Sequence, residues 1–159
     1  MESEDKGPAA GPPDVSKEVD FDIVREDWTR YRLEDGTILR VRIALVKLVP
    51  TGMSELGTPD IGVLSQNILS TVVPKELLKR GGQTKPGRIS AQDIKEGKDL
   101  GFELMGLPQW QEYKTRDGWL VMVKPEIGRV VRLSYYNDVG EPVYWAGNIQ
   151  PVFRVKKAP

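Results

Sequence analysis

The side chains that carry out most enzyme chemistry are missing from this chain. Its 159 residues include no His and no Cys. That excludes a Ser-His-Asp triad, an imidazole general base, thiol chemistry, disulfides, iron–sulfur clusters and nearly every catalytic zinc or iron site. What remains is chemistry by Asp, Glu, Lys, Ser or Tyr, or none. The best acidic candidates are Asp35 and Asp117, each directly before a glycine in Leu-Glu-Asp-Gly and Thr-Arg-Asp-Gly. In a duplicated chain they would face each other as paired carboxylates across a pseudo-two-fold axis. Asp-Gly at a polar tip is also a strong hairpin-turn signal, so turn capping is the expected role. Asp20, Asp22, Glu26 and Asp27 lack the spacing of an EF-hand loop. Residues 82–87 followed by Arg88 lack the Gly-Lys-Ser/Thr ending of a phosphate loop. No catalytic residue, cofactor or metal ligand is assigned, and an enzyme is not expected.

Two sets of residues suit recognition instead. Tyr135, Tyr136, Tyr144 and Trp145 gather around one stretch of sequence, flanked by Arg132 and Arg154. Aromatics and Arg bury large areas at low entropic cost and are enriched at protein interfaces. Core packing is the competing reading, because strand alternation turns one member of each adjacent aromatic pair inward. The second set is basic: Lys75, Lys79, Arg80, Lys85 and Arg88, joined by Lys156 and Lys157 near the C-terminus. Over residues 75–90 five basic residues meet one acidic residue, a net charge of +4. Such a patch would suit phosphate backbones; a solvated surface is the plainer reading. The whole chain balances 23 basic against 23 acidic residues, so no global field favours nucleic acid. The expected function is a non-enzymatic binding or structural module whose partner is another protein. The alternative is a nucleic-acid-binding protein using the basic set.

A repeated β framework must position these residues. Trp28-x-x-Tyr31-x-x-x-Asp35-Gly36 recurs as Trp110-x-x-Tyr113-x-x-x-Asp117-Gly118, an offset of 82 residues (28 to 110). Upstream, Phe21-Asp22-Ile23-Val24 resembles Phe102-Glu103-Leu104-Met105 with a one-residue slip. Trp and Tyr number only 4 and 5 in the chain, so their recurrence at fixed spacing indicates an internal duplication. In each copy, alternation runs into the Asp-Gly dipeptide and out into a Val/Ile/Leu-rich strand, which is hairpin patterning. A long strand is expected over 37–49, a break at Lys124-Pro125-Glu126, and strands over 61–73 and 143–155. Between the copies, residues 74–80 suggest a turn or two of helix. Ser90 and Gly97 suggest the two ends of another.

These elements predict an all-β fold with short connector helices, internally duplicated as a pseudo-two-fold barrel or sandwich. The organisation is a disordered acidic tail over 1–19, a β repeat over 20–74, a connector over 75–100 and a second β repeat over 101–156. The unit Trp-x-x-Tyr-x-x-x-Asp-Gly-Thr-x-Leu-Arg-Val, followed by Gly-x-Pro and Gln-Asn-Ile-x-x-x-Val-Val-Pro, resembles small uncharacterised archaeal β-rich proteins. That resemblance covers mainly residues 28–78. It implies an archaeal origin and a β fold and carries no catalytic residues. Met1-Glu2-Ser3-Glu4-Asp5 has neither the basic nor the apolar segment of a signal peptide, so a cytoplasmic protein is expected.

Overall fold

The computed structural model describes residues 14–84 and 87–159. In chain order the strands are β1 (Phe21–Arg25), β2 (Thr29–Leu33), β3 (Ile38–Met53) and β4 (Pro59–Val72). After helix α1 (Ala91–Glu96) come β5 (Lys98–Leu100), β6 (Phe102–Leu104), β7 (Gln111–Thr115), β8 (Trp119–Glu126), β9 (Arg129–Tyr136), β10 (Pro142–Gly147) and β11 (Gln150–Lys157). They form three antiparallel sheets, ordered β4-β3-β2-β6, β1-β7-β8-β11 and β10-β9-β5. The all-β expectation holds, but no sheet closes into a barrel, one of the two expected architectures. The edge strands of each sheet do not pair with each other: β4 does not meet β6, β1 does not meet β11, and β10 does not meet β5. Among the described residues no helix is long and apolar enough to cross a membrane.

Local sequence explains most of the elements. Gly36 and Gly118 take φ of 91° and 95° at the two hairpin tips, the left-handed region that a side chain disfavours. At the first tip the Thr37 amide donates to Asp35 Oδ1 at 2.9 Å. Helix α1 is closed by a capping box: the Asp93 amide donates to Ser90 Oγ, and the Ser90 amide donates to Asp93 Oδ2 at 2.8 Å. Its C-cap is Gly97. The turn or two of helix expected over 74–80 is a single 3-10 turn, Lys75–Leu77.

Three local expectations need correction. Strand β8 runs unbroken through Pro125, which faces Pro151 of β11. Pairing with β7 stops at Val123, so the missing proline donor interrupts no ladder on that side. The strand expected over 143–155 is two strands, β10 and β11, divided at Asn148, whose φ is 55°. Residues 14–19, expected to end the disordered tail, instead form a 3-10 turn, and Val19 bridges Leu48 of β3. Lys47 Nζ meets Glu18 Oε1 at 2.8 Å beside it. Residues 1–13 of that tail lie outside the described residues.

The two hairpins share one register. Thr29 pairs with Val41 and Tyr31 with Leu39; Gln111 pairs with Val123 and Tyr113 with Val121, at the same offset of 82. The strand preceding each hairpin pairs with the other hairpin. Strand β1 joins β7, with Ile23 opposite Tyr113. Strand β6 joins β2, with Leu104 opposite Tyr31. Matching ring contacts lock both joints: Phe21 meets Tyr113 edge-on at 5.6 Å, and Phe102 meets Tyr31 edge-on at 5.8 Å. Matching backbone bonds extend them, from the Glu34 amide to the Gly101 carbonyl and from the Arg116 amide to the Asp20 carbonyl.

This exchange mixes the cores. One buried cluster sets Tyr31, Leu33, Leu39 and Val41 of the first hairpin against Leu100 and Val130 of the later sequence. The other sets Tyr113, Val121 and Val123 of the second hairpin against Ile43 and Leu48. Neither half of the chain owns a complete core.

The two hairpin tips can be compared directly. Gly36→Val and Gly118→Val should each lower stability by about 1–3 kcal/mol, because a β-branched residue resists positive φ. Gly36→Val should cost more. A Cβ at Gly36 would lie 3.3 Å from Pro74 Cγ, whereas nothing lies within 4 Å of a Cβ at Gly118. Thermal melts of both variants against the parent check the size and the order.

Candidate functional site

Strands β9 and β10 form the hairpin that carries most of the expected partner-binding residues. Its register sets Tyr144 opposite Arg132 and Trp145 opposite Val131. Alternation then separates the two aromatic neighbours. Tyr144 turns inward against the first core cluster. Trp145 lies on the other face, its ring closing over Gly147 and meeting the Arg129 guanidinium at 5.7 Å.

Tyr144 ends in a polar knot at the first hairpin tip. Its hydroxyl donates to Asp35 Oδ2 at 2.8 Å. Arg132 Nη1 donates to the same oxygen at 3.0 Å. The Tyr144 proton is committed to Asp35, so the Thr37 hydroxyl, 2.7 Å away, is the donor to Tyr144. The Asp35 side chain is only 6% exposed. Burial alone would raise its pKa. Hydrogen bonds from Thr37, Tyr144 and Arg132 outweigh this and hold the carboxyl below its usual range. Burial pushes the Tyr144 hydroxyl well above the ordinary tyrosine range, and contact with the Asp35 carboxylate adds to it. The group is therefore a fixed ion pair with a neutral phenol. Asp35 does act in the turn, as its sequence position indicates. Its tie to Arg132 and Tyr144, about a hundred residues away, had no sequence signal.

Tyr135 and Tyr136 line a different feature, a cleft of about 320 Å³. Leu133, Val143 and Ile89 line it as well, together with the polar Thr84, Asn137 and Asp138. The connector packs beside it. The Tyr136 amide donates to the Gln83 carbonyl at 2.9 Å, and the Lys79 amide donates to the Gly140 carbonyl at 2.8 Å. Tyr136 lies so close to Gly82 that a Cβ there would meet its ring at 2.6 Å. Leu133 and Val143 were not singled out by sequence, because apolar residues on a strand read as core; Ile89, in the loop before α1, carried no signal of its own.

Arg154 does not join this group. It belongs to β11, in another sheet, where its guanidinium covers the Trp110 ring at 5.1 Å, with Lys124 Nζ at 4.9 Å from the same ring. Trp28 is matched in the first half by Arg40 at 5.0 Å and Arg42 at 4.6 Å. The basic set is divided as well. Lys75, Lys79 and Arg80 are exposed on the connector, and Lys79 Nζ lies 5.8 Å from the Tyr136 ring. Arg88 is exposed further along. Lys156 and Lys157 pair with Leu120 and Trp119 beside the second hairpin tip. Lys85 lies outside the described residues.

The acidic residues serve other partners. Asp20 and Asp22 both meet Arg116, and Asp27 meets Arg25 at 2.7 Å. Glu26 Oε2 accepts from the Tyr113 hydroxyl at 2.7 Å. Asp117 accepts from Thr115 at its own tip and does not meet Asp35. Among the described residues no group of three or more Asp or Glu is placed to hold a metal. The chain matches no family model, and no curated protein or solved structure aligns with it significantly.

The polar knot makes a pH-dependent contribution to stability. Because the folded-state pKa of Asp35 is lowered, that contribution is present above the unfolded carboxylate range and lost as pH falls through the folded value. Asp35→Asn should cost about 1–3 kcal/mol at pH 7. The gap between variant and parent should shrink as pH drops below about 4. Urea melts of both proteins across pH 3–7 measure the gap; a gap that does not change with pH would show that the Asp35 charge contributes nothing.

Proposed function

We propose that this protein is a non-enzymatic binding module whose partner is another protein, engaged at the cleft beneath Tyr135 and Tyr136. The observation that carries this reading is the cleft's lining. Two tyrosines and the apolar Leu133, Val143 and Ile89 line it together with Asn137 and Asp138. An apolar floor with a few polar groups to fix orientation is the usual composition of a binding site. At about 320 Å³ it lies at the small end of ligand pockets, a size suited to one or two apolar side chains of a peptide. Arg132 and Tyr144 do not line it; they bond Asp35 at the first hairpin tip. Trp145 and Arg154 lie away from it. The absence of His and Cys favours a binding role over catalysis. A cytoplasmic setting is part of the same proposal.

We also read the two halves as copies of one ancestral unit. Support comes from the Trp-x-x-Tyr-x-x-x-Asp-Gly recurrence together with the shared hairpin register. Nucleic-acid binding remains the second reading, supported by Lys79 beside the Tyr136 ring. It is the weaker one, because Lys156 and Lys157 belong to another sheet.

Selection of peptides from a displayed random library, followed by fluorescence-polarisation titration, tests the proposal. Selected peptides should share an apolar anchor. Tyr135→Ser and Val143→Arg should each weaken them by about tenfold or more without lowering the melting temperature. Unchanged affinity in both variants would remove the cleft from consideration. A labelled oligonucleotide provides the opposite arm. Binding that falls steeply with salt and is lost in Lys79→Ala would favour the nucleic-acid reading.

A further inference from the structure

Strand β4 is an edge strand, paired with β3 on one side only. An unpaired edge is a template for another strand, and proteins normally guard it with charge, proline, a bulge or brevity. The other edge strands here are guarded in that way. Strand β1 has five residues with Asp22 and Arg25, β5 has three with Lys98 and Asp99, and β6 has three with Glu103. Strand β10 begins at Pro142, and β11 carries Pro151, Arg154, Lys156 and Lys157. Strand β4 has fourteen residues; it opens on Pro59 and Asp60, and its remaining twelve residues, Ile61 to Val72, contain neither charge nor proline. The two irregularities of the β3–β4 ladder add Val46 and Thr51 to β3, which leaves β4 regular. Residues Leu64, Ser65, Gln66 and Asn67 are all exposed, on both faces of the strand. Beyond them a cleft of about 420 Å³ separates Leu69, Ser70 and Thr71 from Pro142, Val143 and Tyr144.

We propose that this edge pairs antiparallel with β4 of a second copy of the chain, about a two-fold axis at Gln66. Charge sets the direction. The uncharged run is bounded by Asp60 and Lys75. Antiparallel pairing brings the acidic end of one copy to the basic end of the other, whereas parallel pairing would bring like charges together. Geometry restricts the register. Opposed residues share a face in an antiparallel pair, so a two-fold axis normal to the sheet must pass through a residue paired with its own copy. An axis at Gln66 sets Leu64 opposite Ile68, Val63 opposite Leu69, and Ser65 opposite Asn67. In these three pairs, nearest the axis, apolar meets apolar and polar meets polar. Leu64 and Leu69, 37% and 41% exposed in the single chain, gain cover. This surface is separate from the Tyr135–Tyr136 cleft, and the inference does not depend on that site.

Sedimentation equilibrium of the full chain from about 1 µM to about 1 mM should show a monomer–dimer equilibrium. Gln66→Lys sets two like charges at the axis and should raise the dimer dissociation constant at least tenfold; Gln66→Glu should do the same. An equimolar mixture of Q66K and Q66E should recover association to within about threefold of the parent, because opposite charges then meet. Circular dichroism melts of the separate variants should match the parent monomer. Three results would overturn the proposal: a parent that stays monomeric at the highest concentration, a Q66K variant that dimerises as the parent does, or charge variants whose mixture fails to recover.

Discussion

The pairing of β1 with β7, and of β6 with β2, is the constraint from which the rest of the structure follows. Each hairpin needs a third strand, and each takes it from the other half of the chain. Once Phe21 rests on Tyr113 and Phe102 on Tyr31, both cores have to be assembled from distant sequence. The β9–β10 hairpin then covers the first tip rather than its own. That is why Arg132 and Tyr144 reach Asp35. A buried carboxylate without those partners would be costly; with them it ties three separate elements together.

Within this common frame the halves differ at places that can be named. Gln111 is buried and serves Ile43 twice: its Oε1 accepts from the Ile43 amide at 2.9 Å, and its Nε2 donates to the Ile43 carbonyl. The corresponding residues of the other half are Thr29 and Pro125 at the offset of 82. Pro125 has no amide to offer, and Thr29 Oγ1 is buried without a hydrogen-bond partner. A glutamine there would have nothing to bond on one side. The outer strands differ more. Strand β11 carries three basic residues and a proline where β4 presents a plain apolar and polar row. The β9–β10 side carries Tyr135, Tyr136, Tyr144 and Trp145, whereas residues 50–74 carry no aromatic.

Sequence reasoning reached the local features because local chemistry determines them. Asp35-Gly36 and Asp117-Gly118 specify their tips, Ser90 and Asp93 specify the start of α1, and the alternation after Thr37 specifies a long strand. The inward turn of one residue in each aromatic pair follows from pleat geometry and holds for Tyr144 against Trp145. The exchange could not be read in the same way. Phe21–Arg25 fits either hairpin equally well, since the two carry matching residues at matching positions. Only the path of the intervening chain decides between them. The same ambiguity hid the location of Arg154: its neighbours in sequence say nothing about which sheet β11 joins. Pro125 misled because a proline interrupts a ladder only where a partner strand faces its nitrogen.

The exchanged strands also bear on how the chain is made. Phe21 emerges from the ribosome early, but its ring partner Tyr113 follows 92 residues later (21 to 113). Until then β1 lacks the hairpin it joins in the folded protein, and Ile43 and Leu48 lack the other side of their core. The first half therefore waits, with apolar strand surface uncovered, until the second hairpin has been translated. Folding dominated by such distant pairings is slow and leaves strand edges open to neighbouring chains. The joint that unites the two halves in the finished protein is thus also the point at which a nascent chain is most open to joining with the wrong molecule.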